Sequence, residues 1–310
     1  MAATDPAEGI ERLLALRDRV HDGVPTEHAA RYWLSLATLG MRSYEPRESF
    51  DAALRAADLY RSLGDDSRCY DALICAAVQG HSTRERDLAI AEAARLERPA
   101  WPARQRAGLL YARCWLHARL GRYEEALACA EQQAAINREG SDPVGEQAAM
   151  ANVASMELLL GRPDAALAHG RAAIARLDAI GAAAVAGYQH WIVMIALMLL
   201  KRLDEARDAG RMASTLLSRE GDKYRVLPAL ALLAALQGRI ADAARIVGKD
   251  DTKYGRADVP RPPIAAFLRT RLDPLLASGL PPSEIERLRA EGAAMRDEQV
   301  FRLGFGDVAP

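Results

Sequence analysis

Leu-Gly-Arg-Tyr-Glu-Glu-Ala-Leu, at residues 120–127, is the most informative stretch of the sequence, because closely similar stretches follow it along the chain. The next copy, Leu-Gly-Arg-Pro-Asp-Ala-Ala-Leu, stands forty residues later at 160–167. Two further copies are Leu-Lys-Arg-Leu-Asp-Glu-Ala-Arg at 200–207 and Gln-Gly-Arg-Ile-Ala-Asp-Ala-Ala at 237–244. A period of this length is typical of an array of similar structural units that stack on one another.

Each copy predicts one helix, a tight turn and a second helix. Gly121 ends the first helix, since glycine adopts the left-handed conformation of a C-cap without steric cost. Pro163 fits the first turn of its helix, where the missing N–H is not needed. Lys201 replaces the glycine once, so that turn must close without glycine's freedom. Each second helix also carries an alanine where the paired helices cross most closely: Ala126, Ala166, Ala206 and Ala243.

This spacing and this turn resemble the tetratricopeptide repeat, whose unit of about 34 residues is stretched here by longer helices. The resemblance covers roughly residues 26–248. It implies an all-α fold, a right-handed superhelical solenoid of antiparallel helix pairs that ends in C-terminal capping helices. No stretch of the sequence alternates as a β-strand does.

Apolar residues at three- and four-residue spacing predict further helices before the repeated stretch. Four earlier ones are expected at Thr26–Gly40, Arg47–Leu63, Ser67–Gly80 and Arg84–Leu96, and 8–22 reads as half of an incomplete first pair. We therefore divide the chain into helical repeats at 1–248, a proline-rich loop at 249–263 and capping helices at 264–310.

Composition agrees with a solenoid of closely packed helices. Of 310 residues, 50% are hydrophobic and only 5% are aromatic, so alanine and leucine form the core. Repeats that pack only on their neighbours are not held to the ~250–300 residues of a single compact domain. Forty-one basic and 42 acidic residues give a net charge of −1, so we expect neither direct nucleic-acid contact nor a membrane partner.

The cysteines and the N-terminus favour the cytoplasm. The four cysteines, at 69, 75, 114 and 129, form no C-x-x-C pair and are expected to be reduced. The first residues are polar and lack the features of a secretory leader. Arginine greatly outnumbers lysine, which is typical of bacterial chains encoded by GC-rich genes.

Two shorter segments narrow the resemblance. Leu59-Tyr-Arg-Ser-Leu-Gly-Asp65 resembles helix ends of maltose-regulator-like sensor domains. Ala290–Met295, followed by Glu298-Gln-Val300, resembles the closing helices of bacterial signal-transduction ATPases. In those proteins the repeats are the C-terminal sensor or scaffold. The sequence departs from them in one respect: Gly248-Lys249-Asp250 lacks the spacing and the Ser or Thr of a phosphate-binding loop.

The sequence predicts no catalytic residue, no metal site and no cofactor. Cys114 and His117 share a helix face, but two ligands do not make a zinc site. Carboxylate pairs such as Glu124-Glu125 stand at helix starts, where they complement the helix dipole. We therefore predict that the chain is not an enzyme.

A ligand site is predicted on the first helix of each pair, which lines the concave groove of a tetratricopeptide solenoid. Groove positions recur about ten, nine, six and three residues before the turn residue. This count gathers scarce aromatic residues, an asparagine suited to a peptide backbone and one arginine. The predicted ligand-binding residues are Tyr70, Tyr111, Trp115, Asn152, Tyr188, Trp191 and Arg31.

The function predicted from these residues is a regulatory scaffold that binds a peptide or protein partner in its groove. The alternative is a small-molecule sensor domain of a signalling ATPase or transcription regulator, and an enzyme with an unrecognised site is a third hypothesis. Only Arg31, with Arg113 or Arg119 at the edges, supplies groove charge, so a clamp for acidic peptide termini is not expected. An incomplete first pair also suggests a homodimer through the N-terminus.

Overall fold

A computed structural model describes residues 6–20, 23–43, 46–254 and 261–306 of the chain. All regular structure in these ranges is helical. The helices are α1 (Pro6–Ala15), α2 (Thr26–Ser43), α3 (Pro46–Ser62), α4 (Asp66–Gln79), α5 (Thr83–Leu96), α6 (Ala103–Arg119), α7 (Tyr123–Glu139), α8 (Pro143–Leu159), α9 (Pro163–Ala179), α10 (Gly187–Leu199), α11 (Leu203–Arg219), α12 (Leu227–Leu236), α13 (Ile240–Tyr254), α14 (Pro263–Gly279), α15 (Pro282–Ala294) and α16 (Asp297–Phe305). Short 3-10 turns lie at Arg17–Arg19, Ala183–Val185 and Lys223–Val226.

The four repeated stretches form the same turn. Gly121, Gly161 and Gly238 have φ angles of 72°, 75° and 78°, and Lys201 adopts the same left-handed conformation at 63°. The amide of the next residue then donates a hydrogen bond of 2.8–2.9 Å to the carbonyl oxygen five residues earlier. This bond satisfies a carbonyl that the end of the first helix would otherwise leave unpaired. Those four donors are Arg122, Arg162, Arg202 and Arg239.

The alanines expected at the helix crossings are all fully buried, with 0% exposure at Ala126, Ala166, Ala206 and Ala243. Larger side chains there would push the paired helices apart, since interiors are close-packed. The predicted arrangement of antiparallel helix pairs is thus present in the structure.

The chain separates into two compact units. Unit 1 comprises Met1–Ala149 with Arg219–Asp222, and unit 2 comprises Met150–Ser218 with Lys223–Pro310. In unit 1, α2 to α6 share one buried core of alanine, leucine and aromatic side chains. In unit 2, α10 and α12 are nearly all apolar, and most of their side chains are buried.

Two glycines bring α13 and α15 of unit 2 into backbone contact. A Cβ atom built on Gly248 would lie 1.9 Å from the carbonyl oxygen of Arg289. One built on Gly292 would lie 1.8 Å from the carbonyl oxygen of Arg245. No side chain fits at either position, so both helices require glycine where they cross.

Asp297 ties the start of α16 to the rest of unit 2. Its carboxylate accepts a hydrogen bond of 2.6 Å from Tyr224 and pairs with Lys223 at 2.7 Å and with Lys249 at 3.0 Å. Burial by itself would raise the pKa of Asp297, but the hydrogen bonds from Lys223, Tyr224 and Lys249 outweigh it and hold the pKa well below its usual range.

Two predicted boundaries differ from the structure. The loop expected at 249–263 starts too early, because α13 continues to Tyr254 and α14 already begins at Pro263; residues 255–260 lie outside the described residues. The helix expected at 8–22 is α1, which ends at Ala15 and is followed by the 3-10 turn at Arg17–Arg19. In both cases the residues near the helix end are mostly polar, so the apolar spacing does not show where the helix stops.

Candidate functional site

Tyr70 lies in the core of unit 1 and not on an open surface. It is 0% exposed, and its ring meets that of Trp101 edge to face at 5.1 Å. Its hydroxyl donates to the carbonyl oxygen of Gln105 at 3.1 Å and accepts from the amide of Leu109 at 3.2 Å. Burial raises the pKa of Tyr70. This residue joins α4 to α6, contrary to its predicted place on a groove wall.

The other predicted residues of unit 1 are more accessible. Tyr111 and Trp115 on α6 are half-buried and meet edge to face at 6.4 Å, while Arg31 on α2 is exposed. The indole Nε1 of Trp115 is buried and has no hydrogen-bond partner among the described residues. A role of these three residues in ligand binding stays a prediction.

Three predicted residues come together within unit 2, on the first helices of consecutive repeats. Tyr188 and Trp191 on α10 have their ring centroids 5.3 Å apart. The hydroxyl of Tyr188 shares a hydrogen bond of 2.9 Å with that of Ser155 on α8. Asn152, one turn before Ser155, is 5% exposed and already makes a polar contact within the protein.

Arg225 completes this cluster from the 3-10 turn before α12. Its guanidinium carbon lies 5.3 Å from the ring centroid of Tyr188 and 5.8 Å from that of Trp191. A cation over aromatic faces is attracted by the negative charge of the ring face. We call Asn152, Ser155, Tyr188, Trp191 and Arg225 the unit 2 cluster.

A buried donor marks the centre of the unit 2 cluster. Trp191 is 3% exposed, and its Nε1 has no hydrogen-bond partner in the part of the chain that the structure describes. A buried N–H without an acceptor is costly and uncommon. The Tyr188 hydroxyl donates to the Oγ of Ser155, because the Ser155 hydroxyl itself donates to the carbonyl oxygen of Ala151. The Nε1 of Trp191 is therefore the donor that this cluster offers to a ligand with an oxygen acceptor.

Ser155 occupies a groove position by the repeat count, but the count alone does not distinguish it from the apolar residues around it. Arg225 lies in a turn outside the helical period, so the repeat pattern contains no signal for it. Its place becomes evident only when the 3-10 turn is packed against α10.

Two surface cavities lie elsewhere in unit 1. One, of about 350 Å³, is lined by residues of α6 and α7 and the segment before them, including Glu97, Arg106 and Arg113. The other, of about 430 Å³, lies beside Trp33 and Arg55. None of the predicted ligand-binding residues lines either cavity.

The surroundings of Cys114 do not favour metal binding. Cys114 is fully buried, and burial raises the pKa of its thiol to about 12, which opposes the thiolate that binds metals. Within the described ranges, no group of three His, Cys, Asp or Glu side chains is placed to hold a metal ion. Those ranges also contain no helix long and apolar enough to span a membrane.

No protein-family model matches this sequence, and no curated protein matches it. Solved structures do match it in fold. A Rap protein in complex with Competence and Sporulation Factor superposes with a TM-score of 0.60 and 13% sequence identity, covering 93% of this chain and 86% of that chain. The apo form of RapI gives a TM-score of 0.49 at 11% identity, covering 97% of both chains.

The likeness to the Rap protein complex confirms the fold predicted from the sequence, which is an all-helical array of tetratricopeptide-like repeats. Nothing in these comparisons supports the narrower resemblance to signalling ATPases and maltose regulators. The chain is thus assigned to a fold, while no family is shown for it.

Proposed function

We propose that this chain is a non-catalytic, regulatory scaffold that binds a peptide, or an extended segment of a partner protein, through the first helices of its repeats. The observation that carries the proposal is the buried Nε1 of Trp191, which has no acceptor among the described residues; the Trp191 ring lies 5.3 Å from that of Tyr188, measured between centroids. A peptide backbone offers a carbonyl acceptor at every residue.

The surroundings of Trp191 suit such a ligand. Tyr188 is half-buried and adds an aromatic ring, while its hydroxyl is bonded to that of Ser155. Aromatic residues and arginine are enriched among the residues that dominate binding energy at interfaces. Asn152 adds an amide that can both donate and accept, although binding through it requires exchange of its present contact.

The structural likeness to the Rap protein complex is a second, independent support for the proposal. The Rap protein of similar fold was crystallised in complex with Competence and Sporulation Factor, so this fold is able to hold a ligand. We extend ligand binding to this chain as part of the proposal. The four free cysteines fit a reducing compartment, and we place the protein in the cytoplasm.

The test is selection of binding peptides from a displayed library of random heptapeptides, followed by calorimetry of a selected peptide with variants. Tyr188→Ala and Arg225→Gln are each expected to weaken binding about tenfold or more. Arg176→Gln, which removes an exposed arginine from the second helix α9, is the matched control and should bind normally.

Two outcomes would overturn the proposal. One is a library from which no peptide is enriched, and the other is a selected peptide that binds Tyr188→Ala and Arg225→Gln as tightly as the unchanged chain. Saturable binding of a metabolite at the unit 2 cluster, with no enriched peptide, would replace the scaffold by a small-molecule sensor.

A further inference from the structure

The cavity of about 350 Å³ in unit 1 combines charged and apolar residues in one lining. The lining comes from the segment after α5, from α6 and from α7. Small-molecule sites typically occupy roughly 300–1,000 Å³, and they join an apolar surface to a few polar groups that fix the ligand. The cavity is therefore of a size and composition that suits a small ligand.

Three of the lining residues are aliphatic. Leu109 is 2% exposed, and Leu110 beside it on α6 is half-buried. Ile136 on α7 is also half-buried. These side chains offer an apolar group of a ligand a surface on which it is removed from water.

The same cavity holds charges of both signs that are not paired with each other. Glu97, directly after α5, and Arg113 on α6 both line it and are half-buried. Among the residues that the structure describes, neither the Glu97 carboxylate nor the Arg113 guanidinium makes a hydrogen bond or an ion pair. Because a charge withdrawn from water is costly without a partner, each favours an opposite charge supplied by a ligand.

A second guanidinium lines the cavity from α6. The Nε of Arg106 donates to the carbonyl oxygen of Trp101 at 3.2 Å, which holds the side chain, while its Nη atoms make no hydrogen bond within the described ranges. Positions 106 and 113 are seven residues apart and lie on the same face of α6. The lining thus contains two guanidiniums and one carboxylate.

We propose that this cavity binds a small zwitterion that also carries an apolar group, of which an α-amino acid with an aliphatic side chain is the simplest. The ligand's carboxylate pairs with the guanidiniums of Arg106 and Arg113, since guanidinium groups match carboxylates with charge-assisted hydrogen bonds. Its ammonium group donates to Glu97, and its side chain packs on the three aliphatic residues. This site goes beyond the proposed function and does not depend on it.

The sequence contains only part of the signal for this site. The groove count places Arg113 at the edge of the groove. Glu97 lies in the segment after α5 and Ile136 on a second helix, and the count samples neither of these positions. The cavity becomes evident only when α6 and α7 are packed together with that segment.

The experiment titrates the full chain with L-leucine and with three analogues that each lack one feature, and it measures the heat of binding. Isocaproate lacks the ammonium group, isoamylamine lacks the carboxylate, and glycine lacks the aliphatic side chain. Saturable binding of L-leucine is expected. Each analogue should bind at least about tenfold more weakly, because one of the three contacts is missing.

Variants of the two unpaired residues test the same contacts from the side of the protein. Arg113→Gln and Glu97→Gln should each weaken L-leucine binding about tenfold or more, since each removes a charge that holds the ligand. Arg104→Gln on α6 and Glu131→Gln on α7 are the matched controls, because both residues are exposed and neither lines the cavity. Both controls should bind L-leucine as tightly as the unchanged chain.

Absence of saturable L-leucine binding would overturn the proposal, and so would isocaproate or isoamylamine that binds as tightly as L-leucine. Equal binding by Arg113→Gln and the two controls would overturn it as well. Circular dichroism shows whether each variant folds, and if one does not, the analogue series on the unchanged chain tests the same charge. None of these results depends on peptide binding at the unit 2 cluster.

Discussion

The repeat turns and the crossing of α13 with α15 both depend on residues without bulk, but for different reasons. At Gly121 a built Cβ meets nothing within 4 Å, so that turn selects glycine only for its left-handed backbone. At Gly248 a built Cβ would lie 1.9 Å from a carbonyl oxygen of the other helix. The turn is a local requirement, whereas the crossing is a requirement between distant segments.

This difference predicts how each region tolerates change. A residue other than glycine can occupy the turn at a moderate cost in backbone energy, and Lys201 does so. No residue other than glycine can occupy the crossing unless the helices separate. The following experiments change one region at a time and begin with the largest expected effect.

Gly248→Ala should lower the free energy of unfolding by about 3 kcal/mol or more, because the added methyl group meets backbone atoms that cannot rotate away. The measurement is urea unfolding followed by circular dichroism. Gly108→Ala is the matched control within α6, where a built Cβ lies 3.4 Å from a side-chain atom of Ile74, an ordinary contact. It should be neutral or stabilise by about 0.5–1 kcal/mol. Equal effects of the two variants would contradict the close crossing.

Asp297→Asn should lower the free energy of unfolding by about 1–2 kcal/mol at pH 7, because it removes the negative charge that pairs with Lys223 and Lys249. The pKa of Asp297 is held below its usual range, so its contribution is complete above about pH 4 and is lost as the pH falls further. The difference in free energy of unfolding between Asp297→Asn and the unchanged chain should therefore shrink as the pH falls from about 4 to about 2.

Glu298→Gln is the control for that experiment. It removes an exposed pair with Arg302 in the same helix, and we expect a change below about 0.5 kcal/mol. A difference between Asp297→Asn and the unchanged chain that stays constant down to pH 2 would contradict the role of the Asp297 charge.

Lys201→Gly should stabilise the chain by about 1 kcal/mol, because the left-handed conformation costs a non-glycine residue about that much. Gly121→Ala makes the reverse change and should lower the free energy of unfolding by a similar amount. Lys201→Ala keeps a Cβ in the left-handed turn and should change the unfolding midpoint in urea very little. If Lys201→Gly and Lys201→Ala behave alike, the backbone explanation of the turn is wrong.

The helix pairs could be predicted from the sequence because their signals are local. Gly121, Pro163 and Ala126 each report on residues a few positions away, and the structure confirms the turns and the buried alanines. The crossing at Gly248 and Gly292 could not be predicted, because 44 positions (248 to 292) separate the two glycines and Gly292 lies outside the repeats.

The candidate site could be predicted only in part, for the same reason. The groove count selected Trp191, with Tyr188 one turn before it, and the structure places the two rings 5.3 Å apart. The count also selected Tyr70, which the structure places in the core with its hydroxyl both donating and accepting. A helical count gives the direction of a side chain and not the presence of another helix in front of it. Arg225 lies in a 3-10 turn outside the counted helices.

Amide hydrogen exchange of the chain, with and without a selected heptapeptide, shows whether peptides bind through the first helices of the repeats. We predict that binding slows exchange in α8 at 150–159 and in α10 at 187–199, because ligand contacts reduce local opening there. Slower exchange confined to the second helices α9 and α11, or to α14–α16, would contradict the claim.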